Sequence, residues 1–401
     1  MKFNHLILWT IATILSVQPL KAEPASAVNQ IAKANNAFAI DLYKNLAKEP
    51  GNLVMSPFSI DTALTMTYAG ARGNTAKQMA DVLHFANGDT NVHARFSALL
   101  KNLRDTNTLG SQLDIANALW AQKGYGFLPS YLAFLHDQYD ADLNQFEPVA
   151  FDSAKKAALR KQINGWVKGK THDKIKEIVP TSLPSDDTRL ILVNAIYFKG
   201  LWVTPFDKKL TKDAPFHVSA GESVSVPTMH IRAEFNYGRN DDFQVLEMSY
   251  RSNRLSMVIL LPKKNDGLAE LEKTLTVSGI EQLLQTGSLQ EVDVFLPKFK
   301  ETSGFELVKP LEVLGMVDAF SDDKADFSGI TDPSRLFIEA ILHKAYVAVD
   351  EEGTEAAAAT AIFLAEGIPD MFNADHPFLF LIKDNSTGAI LFMGRVTNPL
   401  S

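Results

Sequence analysis

The stretch LILVNAIYF, residues 190–198, is an almost unbroken run of apolar side chains that only Asn194 interrupts. A run of this length, rich in β-branched and aromatic residues, is typical of a strand that is buried on both faces of a sheet. The sequence therefore predicts a sheet whose two faces are both covered by other parts of the chain.

Further apolar segments of strand length follow in the second half of the chain. They are SMVILLP (256–262), VDVFLP (292–297), LFIEAI (336–341), FLFLI (378–382) and AILFMGRV (389–396). Because no helical pattern alternates regularly with these segments, they do not form a series of βαβ units.

The first half of the chain has a helical pattern. Ile31, Phe38, Leu42 and Leu46 share one helical face, and Glu49-Pro50-Gly51 ends that helix. Residues 132–139 and 153–167 are further helix candidates. Helices first and strands later indicate an α+β fold with large sheets.

The composition excludes several classes of function. The chain has 401 residues, 46% of them hydrophobic, and a net charge of -8, which argues against nucleic acid as a partner. It contains no cysteine, so cysteine nucleophiles, cysteine-based zinc sites and disulfides are absent.

Residues 1–22 have the pattern of a secretory signal peptide. Lys2 and His5 precede an apolar stretch of 12 residues, from Leu6 to Val17, and small Ala22 follows. A membrane-spanning helix needs about 20 apolar residues, so we expect export and cleavage after Ala22, or alternatively after Ala27. Because no linker divides the remainder, residues 23–401 are predicted to form a single domain.

No catalytic motif stands out. The chain has no G-x-S-x-G, H-E-x-x-H, P-loop or G-x-G-x-x-G pattern, and its 9 histidines never occur at metal-ligand spacing on a helix. Carboxylate pairs such as Asp186-Asp187 and Asp241-Asp242 fall in loop-like segments. The sequence therefore predicts neither an enzyme nor a metal site.

Residues 351–360 read EEGTEAAAAT, an unusual composition beside predicted strands. Alanine is a poor strand former, so intrinsic propensity does not explain the run. Small side chains would, however, let a strand enter between two packed neighbours without displacing their side chains, and Gly353 would allow the chain to bend first.

Motifs along almost the whole chain resemble one family, the serpins. The matching blocks are NLVMSPFSI (52–60), LTMTYAGARGNTAKQM (64–79), ANALWAQKGYGFLPSYL (116–132), INGWVKGKTHDKIKEIVP (163–180), LVNAIYFKGLWVTPFD (192–207), LPKFKETSGFELVKPLEVLGMVDAF (296–320), ADFSGI (325–330), HPFLFLI (376–382) and LFMGRVTNP (391–399). The resemblance implies three sheets, about nine helices and an exposed reactive loop at about 351–376.

The resemblance also implies a mechanism of inhibition, which is a known example of loop insertion. A target protease cleaves the loop, and the hinge then enters the largest sheet as a new central strand. The hinge residues are Glu351, Glu352, Gly353, Thr354, Glu355, Ala356, Ala357, Ala358, Ala359 and Thr360. In a strand, Thr354 and Glu355 face opposite sides, and we assign Thr354 to the inner side.

Two groups of polar residues match family positions beneath and beside that sheet. Ser56, Ser59, Asn194 and His343 match the shutter, and Trp202, Lys298 and Glu351 match the breach where the loop first enters. Without the resemblance, the first group would be ordinary buried polar residues. Lys298 and Glu351 would be two surface charges that contribute about 0–1 kcal/mol.

The position of the cleaved bond depends on the direction of counting. Counting forward from Glu351 gives Gly367-Ile368, whereas counting back from His376-Pro377 gives Glu366-Gly367. We favour Gly367-Ile368, because the number of residues between Glu351 and the cleaved bond determines how far the attached protease is carried.

The loop composition also limits the target protease. Ala365 and Gly367 favour an elastase-like or subtilisin-like serine protease, and Glu366 leaves a Glu-specific enzyme open. A trypsin-like target is disfavoured, because no Lys or Arg lies between Lys344 and Lys383.

The prediction is therefore a secreted, monomeric inhibitor of a serine endopeptidase, without nucleic-acid or membrane partners. It needs no cofactor, since residues 85–105 carry too few basic side chains for a heparin-like site. The alternative is a non-inhibitory serpin that acts as a carrier or chaperone.

Overall fold

The structure is a computed structural model that describes residues 25–86, 88–104, 111–141, 143–332, 336–353 and 369–401. Nine α-helices lie within these ranges: α1 (Ala25–Leu46), α2 (Pro57–Tyr68), α3 (Gly73–Val82), α4 (Val92–Arg104), α5 (Pro129–Tyr139), α6 (Ser153–Lys170), α7 (Leu268–Thr274), α8 (Val277–Gln285) and α9 (Val308–Leu314).

Fourteen strands lie in the same ranges. They are β1 (Leu53–Met55), β2 (Ser111–Gln122), β3 (Leu143–Phe146), β4 (Leu190–Gly200), β5 (Lys212–Ser219), β6 (Glu222–Arg239), β7 (Phe243–Ser249), β8 (Leu255–Pro262), β9 (Ser288–Pro297), β10 (Phe299–Glu306), β11 (Ala340–Val349), β12 (Asp370–Asn373), β13 (Phe378–Asp384) and β14 (Ile390–Val396). The α+β class expected from the sequence is confirmed.

The smaller of two sheets has five strands in the order β10–β11–β4–β2–β3. Its two neighbouring strands β4 and β11 run parallel, with Ile191 opposite Ala340 and Tyr197 opposite Tyr346. We call this parallel contact the β4–β11 seam. On its two sides β10 and β2 are antiparallel to their neighbours.

The larger sheet has nine strands, with β1–β14–β13–β8–β7–β6–β9–β12 as its main path and β5 beside β6. The resemblance implied three sheets in total, whereas hydrogen bonding among the described residues joins two of them. The reason is that β6, which has 18 residues, runs without a break from its pairing with β5 to its pairing with β7.

Strand β4 is covered on both faces, as its apolar sequence predicted, and all but one of its residues are buried. Leu192 and Ile196 face the core that contains α2. Ile191 and Val193 face the opposite core, which contains Ile163 of α6. The seam is therefore enclosed between two helices.

Two strand predictions differ from the structure. The sequence predicts a strand at 336–341, but β11 begins at Ala340. Leu336 and Ile338 are buried in the core, although they do not belong to β11. Strand β2, with 12 residues, lies in the half of the chain that appeared helical. Burial alone made residues 336–339 resemble a strand.

Among the described helices, none combines the length and the apolar character that crossing a lipid bilayer requires.

Candidate functional site

The polar residues predicted from sequence meet at the β4–β11 seam. Register places His343 of β11 directly opposite Asn194 of β4, and Asn194 opposite Asn117 of β2. The N-terminus of α2 approaches this row from one face, because Ser56 caps the helix and its hydroxyl accepts from the Ser59 N–H at 3.2 Å. These five residues, Ser56, Ser59, Asn117, Asn194 and His343, form what we call the polar cluster.

The hydrogen bonds of the polar cluster form one continuous network. The Ser56 N–H donates to His343 Nε2 at 3.1 Å, and the Ser56 hydroxyl donates to the Leu391 carbonyl at 2.6 Å. The Asn194 amide donates to both Ser59 Oγ and Asn117 Oδ1. Its carbonyl oxygen contacts His343 Nδ1. Each strand of the seam is thereby tied to α2.

The network fixes His343 as a neutral imidazole. Because Nε2 accepts a hydrogen bond from the Ser56 backbone N–H, the ring proton is on Nδ1, which donates a hydrogen bond to Asn194 Oδ1. The side chain is buried, and this desolvation lowers its pKa to about 3. The cluster therefore carries no charge at neutral pH.

Asn117 is the member that sequence reasoning missed. It lies in ANALWAQ, where an amide replaces an apolar residue in a strand, the same signal that identified Asn194. The segment belongs to one of the serpin-like blocks, but the helical pattern of the first half of the chain hides its strand character and with it the signal of Asn117.

A second group lies where β4 and β11 end. We call it the C-terminal junction and define it by Trp202, Thr211, Lys298, Asp350 and Glu351. The Lys298 ammonium donates to Glu351 Oε2 at 2.8 Å, and the Thr211 hydroxyl donates to Oε1 at 2.8 Å. The Trp202 indole N–H donates to the Asp350 carbonyl at 3.0 Å. The three residues predicted for the breach are thus brought together, with Trp202 contacting the residue before Glu351.

Glu351 is a buried charge rather than a surface one. Its side chain is 5% exposed, whereas that of Lys298 is 37% exposed. Burial alone would raise the pKa of Glu351, but hydrogen bonds from Lys298, its own backbone and Thr211 together hold that pKa below its usual value. Glu351 is therefore ionised and fully partnered.

Gly353 closes the junction. Its φ is +85°, and a Cβ there would lie 2.4 Å from the Gly200 carbonyl oxygen and 2.6 Å from the Trp202 nitrogen. A side chain would collide with the backbone that follows β4 and would also strain its own backbone. The chain can turn away from β11 at this point because residue 353 is glycine.

The remaining predicted site residues, Thr354–Thr360 of the hinge and Glu366, Gly367 and Ile368 of the reactive bond, lie outside the described residues. Within the described part of the chain, no group of three or more His, Asp or Glu side chains could hold a metal ion.

Comparison with protein families decides the classification. Residues 33–399 match the family model described as serpin (serine protease inhibitor). The chain belongs to the serpin family. The family model describes protease inhibitors rather than enzymes, and the human relative reported first below is named as an inhibitor.

Known serpins are similar over almost the whole chain. The human leukocyte elastase inhibitor is 42% identical over 387 residues, which cover 93% of this chain and 100% of that protein. Two solved structures also match this serpin. Serpin48 of the insect Tenebrio molitor, described as highly specific, has a TM-score of 0.82 and 34% identity over 92% of this chain and 98% of that chain. Human thyroxine-binding globulin has a TM-score of 0.84 and 29% identity over 93% and 99%.

Proposed function

We propose that this serpin is a secreted inhibitor of serine endopeptidases that acts as a suicide substrate. A target protease cleaves the reactive loop, and the hinge then enters the β4–β11 seam as a new central strand. The observation that carries the proposal is the parallel pairing of β4 with β11.

The direction of the chain supports insertion at this place. β11 ends at Val349, and the hinge leaves it through the turn at Gly353. A segment that turns back there runs antiparallel to β11 and, because β4 is parallel to β11, antiparallel to β4 as well. Insertion therefore replaces one parallel pairing with two antiparallel pairings, which are slightly more stable per residue.

The energetics favour insertion once the loop is cut. A ten-residue central strand forms roughly 20 backbone hydrogen bonds, and opening the seam loses roughly seven, each contributing about 0.5–1.5 kcal/mol net. The gain is comparable with the roughly 5–15 kcal/mol that keeps a typical domain folded. An intact loop, held at both ends, would keep this stabilisation from being realised.

The described junction supports the assignment of the hinge. Glu351 is held by Lys298 and Thr211, so the hinge begins at a residue that is anchored at the end of β11. The polar cluster holds the middle of the same seam closed. We assign the shutter to Ser56, Ser59, Asn194 and His343, and the breach to Trp202, Lys298 and Glu351.

The target and the compartment are finer parts of the proposal. The 42% identity to a protein named leukocyte elastase inhibitor supports an elastase-like target, as do Ala365 and Gly367 in the loop. We propose cleavage at Gly367-Ile368, with Glu366-Gly367 as the alternative. Secretion rests on the signal pattern of residues 1–22, which lie outside the described residues.

A carrier function is the second candidate, because the fold also matches human thyroxine-binding globulin with a TM-score of 0.84. Against it stands the hinge composition between Gly353 and Ala361, which lacks proline and bulky side chains. An inserting strand needs that composition, whereas a carrier does not.

The test is incubation with an elastase and a subtilisin, followed by electrophoresis after boiling in detergent. We expect a covalent complex and a released C-terminal peptide. The mass of this peptide should show that its first residue is Ile368, or Gly367 if the alternative bond is cleaved. Protein nicked in the loop by a non-target protease should melt at a higher temperature than intact protein. Cleavage without a complex and without a rise in the melting midpoint would favour the carrier.

A further inference from the structure

Positive charge is concentrated in one part of this acidic protein. Residues 153–176, which comprise α6 and the segment after it, contain eight Lys or Arg residues and one acidic residue. In the rest of the chain, 31 basic residues face 46 acidic ones. Three of the eight, Lys155, Lys156 and Lys168, contact the carboxylates of Asp152, Asp186 and Asp173. The other five have no ion pair within the described residues, so this surface attracts anions.

The cations surround a groove between α6 and the segment that returns beside it. The groove has a volume of about 360 Å³ and is lined by the cations Arg160, Lys161, Lys168 and Lys176. Ala157 and Gly165 also line it, and a Cβ at Gly165 would meet no atom within 4 Å. The small residues leave the space between the charges open.

The groove is held in shape by contacts that do not use its charges. Asn164 Oδ1 accepts the N–H groups of Ile178 and Val179 at 2.9 and 3.0 Å, which fixes the returning segment to α6. The Lys344 ammonium donates to the Glu177 carbonyl at 2.9 Å, which ties the same segment to β11. An anion would therefore meet a wall that is already in place.

Most of these cations lack a carboxylate partner. The Arg160 guanidinium donates to the carbonyls of Leu183 and Thr181 at 3.1 and 3.0 Å, so it is positioned but not neutralised. Within the described residues, Lys161 and Lys176 have no ion pair, and Lys168 has only an exposed one with Asp173 at 3.2 Å. The carboxylate of Glu177 also lines the groove, which leaves a net charge of +3.

We propose that this groove binds a linear chain of sulfate or phosphate groups. Arg160 offers its remaining N–H groups in a planar fork that suits tetrahedral anions, and the exposed lysines add point charges. No aromatic side chain lines the groove, so bases of a nucleic acid would have nothing to stack on. Since α6 has 18 residues and is about 27 Å long, several anionic groups can contact it at once.

Binding is measured directly, so the result does not depend on whether the protein inhibits a protease. The probes are tripolyphosphate, a sulfated hexasaccharide derived from heparin, and hexaglutamate as a carboxylate control. Isothermal titration at 50 and 200 mM salt gives the affinity and its salt dependence. Binding of tripolyphosphate alone indicates a free phosphate chain, and binding of the hexasaccharide alone indicates a sulfated polysaccharide.

The double variant Lys161→Gln/Lys176→Gln should lower the affinity about tenfold. It should also reduce the steepness of the plot of log affinity against log salt concentration by roughly two. The matched variant Lys48→Gln/Lys212→Gln, which changes the net charge equally at exposed positions elsewhere, should change the affinity less than about twofold. Glu177→Gln should instead strengthen binding, because it removes the one carboxylate of the groove. Melting midpoints should not differ among the variants, since all substituted residues are exposed.

Three results would overturn the proposal. The first is that neither tripolyphosphate nor the hexasaccharide binds at 50 mM salt. The second is that the two double variants lose equal affinity. The third is that hexaglutamate binds as tightly as the other two probes.

Discussion

The polar cluster and the C-terminal junction both tie β4 to neighbouring elements, but they do so with different chemistry. The cluster in the middle of the seam is buried and neutral, and His343 exchanges hydrogen bonds with Asn194 and Ser56. The junction at the end uses an ion pair between Glu351 and the partly exposed Lys298.

The difference indicates how the seam can be stable and yet open from one end. Neutral buried groups have no alternative partner in a dry environment, so separating them is costly. At the junction end, the ion pair that joins the chain after β4 to the chain after β11 is Lys208–Glu352. The Lys208 side chain is 65% exposed and can be hydrated as the strands part, so this end opens at a smaller cost. We therefore expect opening to begin at the junction and to meet its main resistance at the cluster.

The largest expected effect tests entry from the junction end. Thr354→Arg should convert the inhibitor into a substrate, because an unpaired guanidinium on the inner side would slow insertion roughly a hundredfold. Glu355→Arg, on the outer side, is the matched control and should be far milder. The number of inhibitor molecules consumed per protease molecule inhibited measures both. Equal losses would show that the facing of the hinge is assigned wrongly.

The next effect concerns the cluster itself. Asn194→Ala should destabilise the native protein by about 2–4 kcal/mol, because Ser59 and His343 lose a buried hydrogen-bond partner. Urea unfolding monitored by tryptophan fluorescence gives the difference. Asn102→Ala, at an exposed position of α4, is the control and should leave the midpoint unchanged or slightly higher. Matching midpoints for the two variants would contradict the role given to the cluster.

A pH titration separates the two regions. His343 has a pKa of about 3 in the folded protein, below the roughly 6.5 of an unfolded histidine. The unfolded state therefore binds the proton first, and stability falls as pH drops below about 6.5. Between pH 7 and pH 5 this loss should be about 2 kcal/mol.

The control for this titration is His343→Asn, which should lose that part of the slope while keeping the part contributed by His93, whose pKa burial lowers to about 4. An unchanged slope in the variant would show that His343 is not neutral and buried as described.

The smallest effect concerns the junction. Lys298→Gln should cost about 1–2 kcal/mol at pH 7, because the Gln amide can still donate to the buried Glu351 carboxylate, which also keeps its hydrogen bond from Thr211. The lowered pKa of Glu351 means that its contribution is present above about pH 4.5 and is lost as pH falls further, so the variant and the native protein should converge in acid. Lys309→Gln, which removes an exposed pair with Glu312, is the control. If Lys298→Gln lowered the free energy of unfolding more than Asn194→Ala does, the junction and not the polar cluster would be the stronger of the two contacts.

Part of the site was predictable because single residues break an otherwise uniform pattern. Asn194 interrupts an apolar strand, and Gly353 precedes a run of alanines, so both stand out without a structure. Asn117 and Thr211 do not stand out in the same way. Asn117 belongs to the site because register places it opposite Asn194, and Thr211 because the chain after β4 folds back onto Glu351.

The sequence by itself determined the α+β class, the doubly buried strand at 190–198 and the family resemblance. These features can be recognised from neighbouring residues, because hydrophobic periodicity and motifs depend only on local sequence. Tertiary structure alone decided that β4 pairs in parallel with β11, a strand about 150 residues further along the chain. It also decided that Glu351 is buried while Lys298 is partly exposed, and that a cationic groove forms beside α6. These features depend on which distant segments meet, and no local pattern records that pairing.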